Sequence, residues 1–218
     1  MKNVYLVRHG ESEANIGNIY LGGETPLTEI GHGQAEFIAE RASKLPIDVV
    51  IASTLVRARQ TAQHIVDKTG KTLETSDLFV ERRSPSEYVG RPYSDPKTAE
   101  IDKILDENFG KPDWKYSDEE NFDDMKVRAK KAMDFLEARP EQEILVVTHG
   151  LFLRMLVGTI MFGDEFTGKE GYSLFKTLRT KNTGLTIFEH SPADRDAHDG
   201  RFKAWRMLTW NDHAHLAD

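Results

Sequence analysis

Short runs of apolar, β-rich residues punctuate the chain at Val4 to Val7, Val49 to Ala52, Ile144 to Val147 and Leu185 to Phe188. Unbroken apolar runs of this length read as strands covered on both faces, and an apolar stripe of helical spacing follows each of the first three. Ala35, Ile38, Ala39 and Ala42 fall at i, i+3, i+4 and i+7 behind Thr28, a natural N-cap. Ala58, Ala62, Ile65 and Val66 repeat the pattern and stop at Gly70, a residue suited to ending a helix. Phe122, Met125, Ala129, Ala132, Met133 and Leu136 form the clearest amphipathic stripe, which ends before Pro140. Leu153, Leu156, Val157 and Ile160 form another. The alternation predicts an α/β fold: a doubly wound, mainly parallel sheet with helices on both faces.

Between about residues 81 and 121 this rhythm breaks. Pro85, Pro92, Pro96 and Pro112 interrupt the segment, and Ile101, Ile104 and Leu105 leave only a short apolar pattern. We read it as an inserted cap over a site. With 218 residues, a single domain carrying an insertion is expected rather than two equal domains. The acidic run Asp118, Glu119, Glu120, Asp123 and Asp124 reads as the start of the next helix, whose dipole favours anions, in preference to a metal site. Past Phe188, the turn-rich stretch Ser191 to Gly200 and the weak strand Ala204 to Leu208 predict a terminal hairpin.

Composition narrows the function classes. The chain has 29 Lys and Arg against 36 Asp and Glu, a net charge of −7, which argues against a nucleic-acid partner held by phosphate neutralisation. Any anion site must be local. The absence of cysteine removes disulfides, thiolate zinc sites, iron–sulfur clusters and cysteine nucleophiles. No apolar run is long enough for a transmembrane span, and Met1-Lys2-Asn3 leads straight into a strand without room for a signal peptide. A cytoplasmic protein without a membrane partner is the expectation.

Three polar segments stand directly after apolar strands: Arg8 to Ser12, Ser53 to Arg57, and Thr148-His149-Gly150. Ligands of open α/β sheets bind at the carboxyl ends of strands, so the three can converge in one pocket. Arg8, Arg57, His9 and His149 would then gather fork donors and positive charge suited to a phosphoryl group. A neutral imidazole is a competent nucleophile near pH 7, and the second, if protonated, would stabilise charge on the transferring group.

Leu6-Val7-Arg8-His9-Gly10-Glu11-Ser12 with Asn15 resembles the opening signature of the histidine phosphatase superfamily, also called the phosphoglycerate mutase-like family. Pro26-Leu27-Thr28 with Gly31 and Gln34-Ala35, Ser53-Thr54-Leu55 with Arg57-Ala58 and Gln60-Thr61-Ala62, Thr148-His149-Gly150, and Asn182-Thr183-Gly184 continue the likeness in family order. The resemblance implies one such domain over residues 1–218. It also implies a phosphohistidine intermediate at His9, with Arg8, Arg57 and His149 binding the phosphoryl group and Asn15 nearby. The family places a carboxylic acid after the next strand, to protonate the leaving oxygen. Leu78-Phe79-Val80-Glu81 puts Glu81 there. Where the family often continues with a glycine, this chain reads Glu81-Arg82-Arg83-Ser84-Pro85-Ser86-Glu87, which makes Glu87 a second candidate.

The leading reading is a phosphatase that hydrolyses a small phosphorylated substrate, a phosphomonoester, without metal or cofactor. A phosphoglycerate mutase is the alternative enzyme. The mutase branch resembles Glu-Arg-His-Tyr-Gly at the acid, and only Glu81-Arg82 matches it. A phospho-ligand or phosphoprotein binding module is the non-enzymatic alternative, against which the complete set Arg8, His9, Arg57 and His149 argues. Other patterns carry less. Gly163 to Lys169 has P-loop spacing, but Glu170 replaces Ser or Thr and no strand precedes it. Gly31-His32-Gly33 has Glu36 where a dinucleotide fingerprint needs its third glycine, and His198, His213 and His215 lack the spacing of a helical metal pair. Arg82, Arg83, Tyr88, Arg91, Tyr93, Trp114 and Tyr116 either line the cap and read substrate or serve as surface charges and core aromatics.

Overall fold

A computed structural model describes residues 1–17, 19–191 and 204–216. Six strands, β1 (Lys2–Arg8), β2 (Val49–Ala52), β3 (Thr72–Thr75), β4 (Glu143–Thr148), β5 (Leu185–His190) and β6 (Trp205–Asp212), form one sheet in the order β3-β2-β4-β1-β5-β6. β1 to β4 are mutually parallel, while β5 pairs antiparallel with both β1 and β6. The mainly parallel sheet read from the sequence is present, and the terminal hairpin is its antiparallel edge. Residues 192–200, the predicted turn, lie outside the described residues, and His198 with them.

The helices are α1 (Glu13–Ile16), α2 (Glu29–Ala42), α3 (Val56–Thr69), α4 (Pro96–Asn108), α5 (Phe122–Ala138), α6 (Gly150–Phe162) and α7 (Gly168–Thr177). They cover both sheet faces, and strand alternation sorts the core accordingly. Tyr5, Val7, Val50 and Leu145 pack with Ile38, Ala39, Ala58, Ala62 and Ile65 of α2 and α3. Leu6, Ile51 and Val146 pack with Met125, Ala129, Phe152 and Leu156 of α5 and α6. Central strands buried on both faces have no polar side to show. Local signals agree with these bounds: the Thr28 hydroxyl accepts from Gly31 N–H at 3.0 Å, and Gly70 takes φ 68° at the end of α3.

The acidic run divides its work as the start of a helix. Asn121 and Asp124 form a capping box on α5, the Glu119 carboxylate accepts from the N–H groups of Tyr116 and Ser117, and Glu120 forms a two-point pair with Arg128 at 2.6 Å. Among the described residues no cluster of three or more His, Cys, Asp or Glu side chains is arranged to hold a metal, and no helix is long and apolar enough to cross a membrane. Residues 81–121 contain a short 3-10 turn, Ser86–Tyr88, and α4, packed around a small apolar cluster of Tyr88, Ile101 and Leu105 with Tyr20, Trp114 and Tyr116.

Two elements differ from the sequence reading. Leu78 to Val80 does not end a strand: Asp77–Phe79 is a 3-10 turn, and the strand before it is the polar β3, which pairs along one side only. The false P-loop is the 3-10 turn Gly163–Glu165 followed by α7. Gly168 and Gly171 of α7 are required by close approach, because a Cβ there would meet the Gly110 backbone at 2.1 Å and the Phe122 ring at 2.5 Å.

Candidate active site

The carboxyl ends of β1, β2 and β4 deliver Arg8-His9, Ser53 to Arg57 and Thr148-His149 to one place. The rings of His9 and His149 lie 5.0 Å apart by centroid, tilted at 57°. His9 is 3 % exposed and His149 fully buried. Gly10 O accepts from His9 Nδ1–H at 2.6 Å, which fixes the tautomer and leaves Nε2 with its lone pair. Arg57 Nε–H donates to that Nε2 at 3.2 Å. Burial foremost, then the Arg57 and Arg8 guanidiniums, hold His9 well below the ordinary 6.5 of an imidazole. The result is a neutral, aimed imidazole.

His149 is also held neutral, by burial first and then by His9, Arg57 and Arg8. The positive charge expected of a protonated second histidine therefore falls to the two arginines. His149 Nε2 lies 2.8 Å from Ser53 Oγ. Its Nδ1 and the Nε of Arg8 are both buried without a protein hydrogen-bond partner. Buried polar atoms are rarely left unpaired, and here two of them belong to one cluster.

The backbone around the pair is fixed from several sides. Gly10 N–H donates to Thr61 Oγ1, which donates to Arg57 O. A Cβ at Gly31 would lie 1.9 Å from Glu11 O, so glycine is needed where α2 packs on the His9 loop. Thr183 N–H donates to Arg8 O at 2.9 Å, and Asn182 Nδ2–H to His9 O at 3.0 Å. Thr183 holds φ 56°, unusual for a β-branched residue. The Asn182-Thr183-Gly184 motif thus clamps the Arg8-His9 backbone.

The structure brings Glu81 to this cluster and leaves Glu87 outside it. Glu81 accepts from the N–H groups of Leu151 and Phe152 at 3.1 and 3.0 Å, capping α6 immediately after His149. Its segment is fixed by hydrogen bonds instead of by a sheet end: Thr148 Oγ1–H donates to Phe79 O and Arg128 Nη1–H to Val80 O. A cavity of about 550 Å³ is lined by Arg57, Glu81, Tyr20, Leu55, Val80 and Tyr88, among others. Glu87 is absent from that lining and pairs with Lys97 at 3.3 Å. Asn15 is exposed on α1; its Oδ1 accepts from Ser12 N–H and Oγ–H and lies 3.3 Å from Asn182 Nδ2.

Of the open aromatics and charges, Tyr88, Trp114 and Tyr116 pack in the small cluster and Arg91 pairs with Asp95, whereas Arg82, Arg83 and Tyr88 line the cavity. Arg154, Arg179 and Lys181 were not singled out in the sequence, yet they stand beside Arg8 and Glu81 in a second recess. Arg154 lies four residues past Gly150 on α6, a helical spacing that does point it to the same end.

The buried neutral histidines predict a pH response. As pH falls below 6.5 the unfolded chain protonates both while the folded chain does not, so stability drops with falling pH in that range. Imidazole resonances of His9 and His149 followed by NMR should still report neutral rings at pH 6. A midpoint at or above 6.5 for His9 would contradict its burial beside two arginines.

The α/β sheet thus presents two neutral histidines and two arginines at its strand ends, with the Glu81 carboxylate capping the adjoining helix. The comparisons give the class. The family model described as histidine phosphatase superfamily (branch 1) matches residues 4–200, and the chain belongs to that family. The protein named probable phosphoglycerate mutase GpmB of Photorhabdus laumondii is 34 % identical over 203 residues, covering 88 % of this chain and 87 % of its own. Among solved structures, Bacillus stearothermophilus YhfR superposes with a TM-score of 0.81 at 21 % identity, over 99 % of both chains. Phosphoserine phosphatase of Entamoeba histolytica, solved with 3-phosphoglyceric acid, gives 0.75 at 21 % identity, over 99 % of this chain and 100 % of its own. At such identities the structural likeness concerns the fold.

Proposed function

We propose that the protein is a metal-independent phosphatase that hydrolyses a phosphomonoester in two in-line steps through a phosphohistidine at His9. The observation that carries this reading is the His9 ring itself: neutral, with Nδ1–H committed to Gly10 O and Nε2 facing Arg57. In the first step the Nε2 lone pair forms the N–P bond as the P–O bond to the alcohol breaks, and the Glu81 carboxylic acid gives its proton to the departing oxygen. In the second, Glu81 takes a proton from water, whose oxygen attacks phosphorus, and the N–P electron pair returns to Nε2. Arg8, Arg57 and His149 hold the equatorial oxygens, with Asn15 beside them. On this reading residues 1–218 form one domain, with residues 81–121 capping the site.

The mutase reading is favoured by the likeness to GpmB. One feature favours hydrolysis: beyond Glu81-Arg82 the mutase pattern at the acid is absent. Incubation with 3-phosphoglycerate separates the two by product, inorganic phosphate against the 2-phospho isomer. Isomer formation faster than phosphate release would establish the mutase.

Two further results are expected. Activity should survive a chelator and be inhibited by vanadate, since charge neutralisation is assigned to side chains; loss in chelator, restored by a divalent ion, would overturn the metal-free mechanism. Arg57→Lys should lower kcat/KM by about 10²-fold despite retained charge, because an ammonium cannot supply the planar fork. Near-native kinetics would make Arg57 structural.

A further inference from the structure

Two polar pairs bridge the neighbouring helices α2 and α3. His32 Nδ1 lies 3.0 Å from His64 Nε2, with the rings 5.3 Å apart by centroid and tilted at 61°. Farther along both helices, Lys68 pairs with Glu40 at 2.6 Å. Both histidines are half-buried, and neither lines the cavity at Glu81 and Arg57 or the recess beside Arg8. The phosphoryl chemistry has no use for them.

As they stand, one ring donates an N–H and the other accepts it. The spacing also suits a shared ligand. Two imidazole nitrogens on one late first-row ion, each at about 2.0–2.1 Å, stand about 2.9–3.4 Å apart for angles between square-planar and tetrahedral. A rotation of each ring turns both lone pairs onto one point, and the proton between them moves to the other nitrogen of its own ring. The helices keep the spacing, because Ala35, Ile38 and Ala39 of α2 and Ala58, Ala62 and Ile65 of α3 belong to one buried cluster. Charge around the pair agrees. Glu36, one turn past His32, is exposed, leans back toward it as helical side chains do, and has no ion-pair partner among the described residues. Lys68, one turn past His64, is matched by Glu40, and Asp67 accepts from Gln63 at 2.6 Å.

We propose that His32 and His64 form a binding site for a divalent late first-row ion, Zn²⁺, Ni²⁺ or Cu²⁺, separate from the catalytic cluster, with water completing the shell. Imidazole donors select these ions over Mg²⁺ and Ca²⁺. The bound ion clamps α2 to α3. Gly31, beside His32, packs against Glu11, and Thr61, three residues before His64, accepts from Gly10 N–H, so the clamp closes next to two contacts that hold the His9 loop. The ion takes no part in phosphoryl transfer, and the expected survival of activity in a chelator stands.

Titration calorimetry of the full chain with Zn²⁺ and with Ni²⁺, against Mg²⁺ as the contrast, tests the site. The wild-type protein should bind Zn²⁺ and Ni²⁺ and show no Mg²⁺ binding that depends on these residues. His32→Gln and His64→Gln should each weaken the tightest binding by about 10-fold or more, at least the loss that removal of an outer-shell partner causes. The double variant should lose little further, because either substitution alone breaks the chelate. Zn²⁺ should raise the Tm of the wild type and leave that of the variants unmoved. Should a variant itself be unstable, the wild-type protein decides: the imidazole resonances of His32 and His64 should move together and before those of the other histidines as Zn²⁺ is added. No binding at millimolar ion, binding undiminished in the double variant, losses that add across the two variants, or a shift led by His213 or His215 would each overturn the site.

Discussion

His9→Ala should lower kcat/KM on an aryl phosphate by about 10⁴-fold or more and remove the acid-labile, base-stable label from enzyme trapped during turnover. The magnitude follows from what the ring does. In the proposed mechanism it forms the bond to phosphorus, and among the described residues the other ring at the site, that of His149 at 5.0 Å, has its Nε2 on Ser53 Oγ. The substitution also strips Arg57 Nε–H of its acceptor and Gly10 O of its donor. Phosphate binding should weaken far less than turnover, because Arg8 and Arg57 remain. His149→Ala should slow turnover yet still yield label. Label persisting in His9→Ala would move the nucleophile elsewhere, and His149 would be the first place to look.

The parts of this site legible in the sequence are those fixed by the strands. β1, β2 and β4 are central, covered by helices on both faces, so they read as unbroken apolar runs, and the polar residues directly after them had to lie at one sheet edge. β3 escaped notice because an edge strand of Thr72-Leu73-Glu74-Thr75 has no face that must be apolar. α7 escaped because Gly168 and Gly171 weaken a helical pattern, and their reason, contact with Gly110 and Phe122, is tertiary. Arg8, Arg154 and Lys181 are likewise distant in the chain: the pairing of β4 with β1 sets α6 and its Arg154 beside Arg8, and the docking of the 180–184 loop against β1 adds Lys181. Glu81 lies beside Arg57 in the cavity although the strand assumed before it is a 3-10 turn. The hydrogen bonds from Thr148 and Arg128 supply the rigidity that a sheet end would have given.

Glu81→Gln should slow hydrolysis of an alkyl phosphate by about 10²-fold or more, while an activated aryl ester loses much less. An alkoxide needs a proton as the P–O bond breaks; an activated phenolate departs with little help. Glutamine keeps the shape and one acceptor oxygen for the N–H groups of Leu151 and Phe152, so α6 stays capped in part and the selective loss reports proton transfer and not collapse of the site. A structural defect would instead depress both substrates alike. Glu87→Gln should behave as wild type on both esters. Glu87 pairs with Lys97, and it does not line the cavity that Glu81 shares with Arg57. Only a closure that carried the Ser86–Tyr88 turn inward would bring its carboxyl to a leaving oxygen, and that turn is anchored by Tyr88 Oη–H donating to Asp102 at 2.6 Å. Kinetics of both variants on one alkyl and one aryl phosphate decide the assignment: selective loss of the alkyl ester in Glu87→Gln, with Glu81→Gln unaffected, would transfer the acid to the cap and require that the Tyr88 to Asp102 anchor release during each turnover.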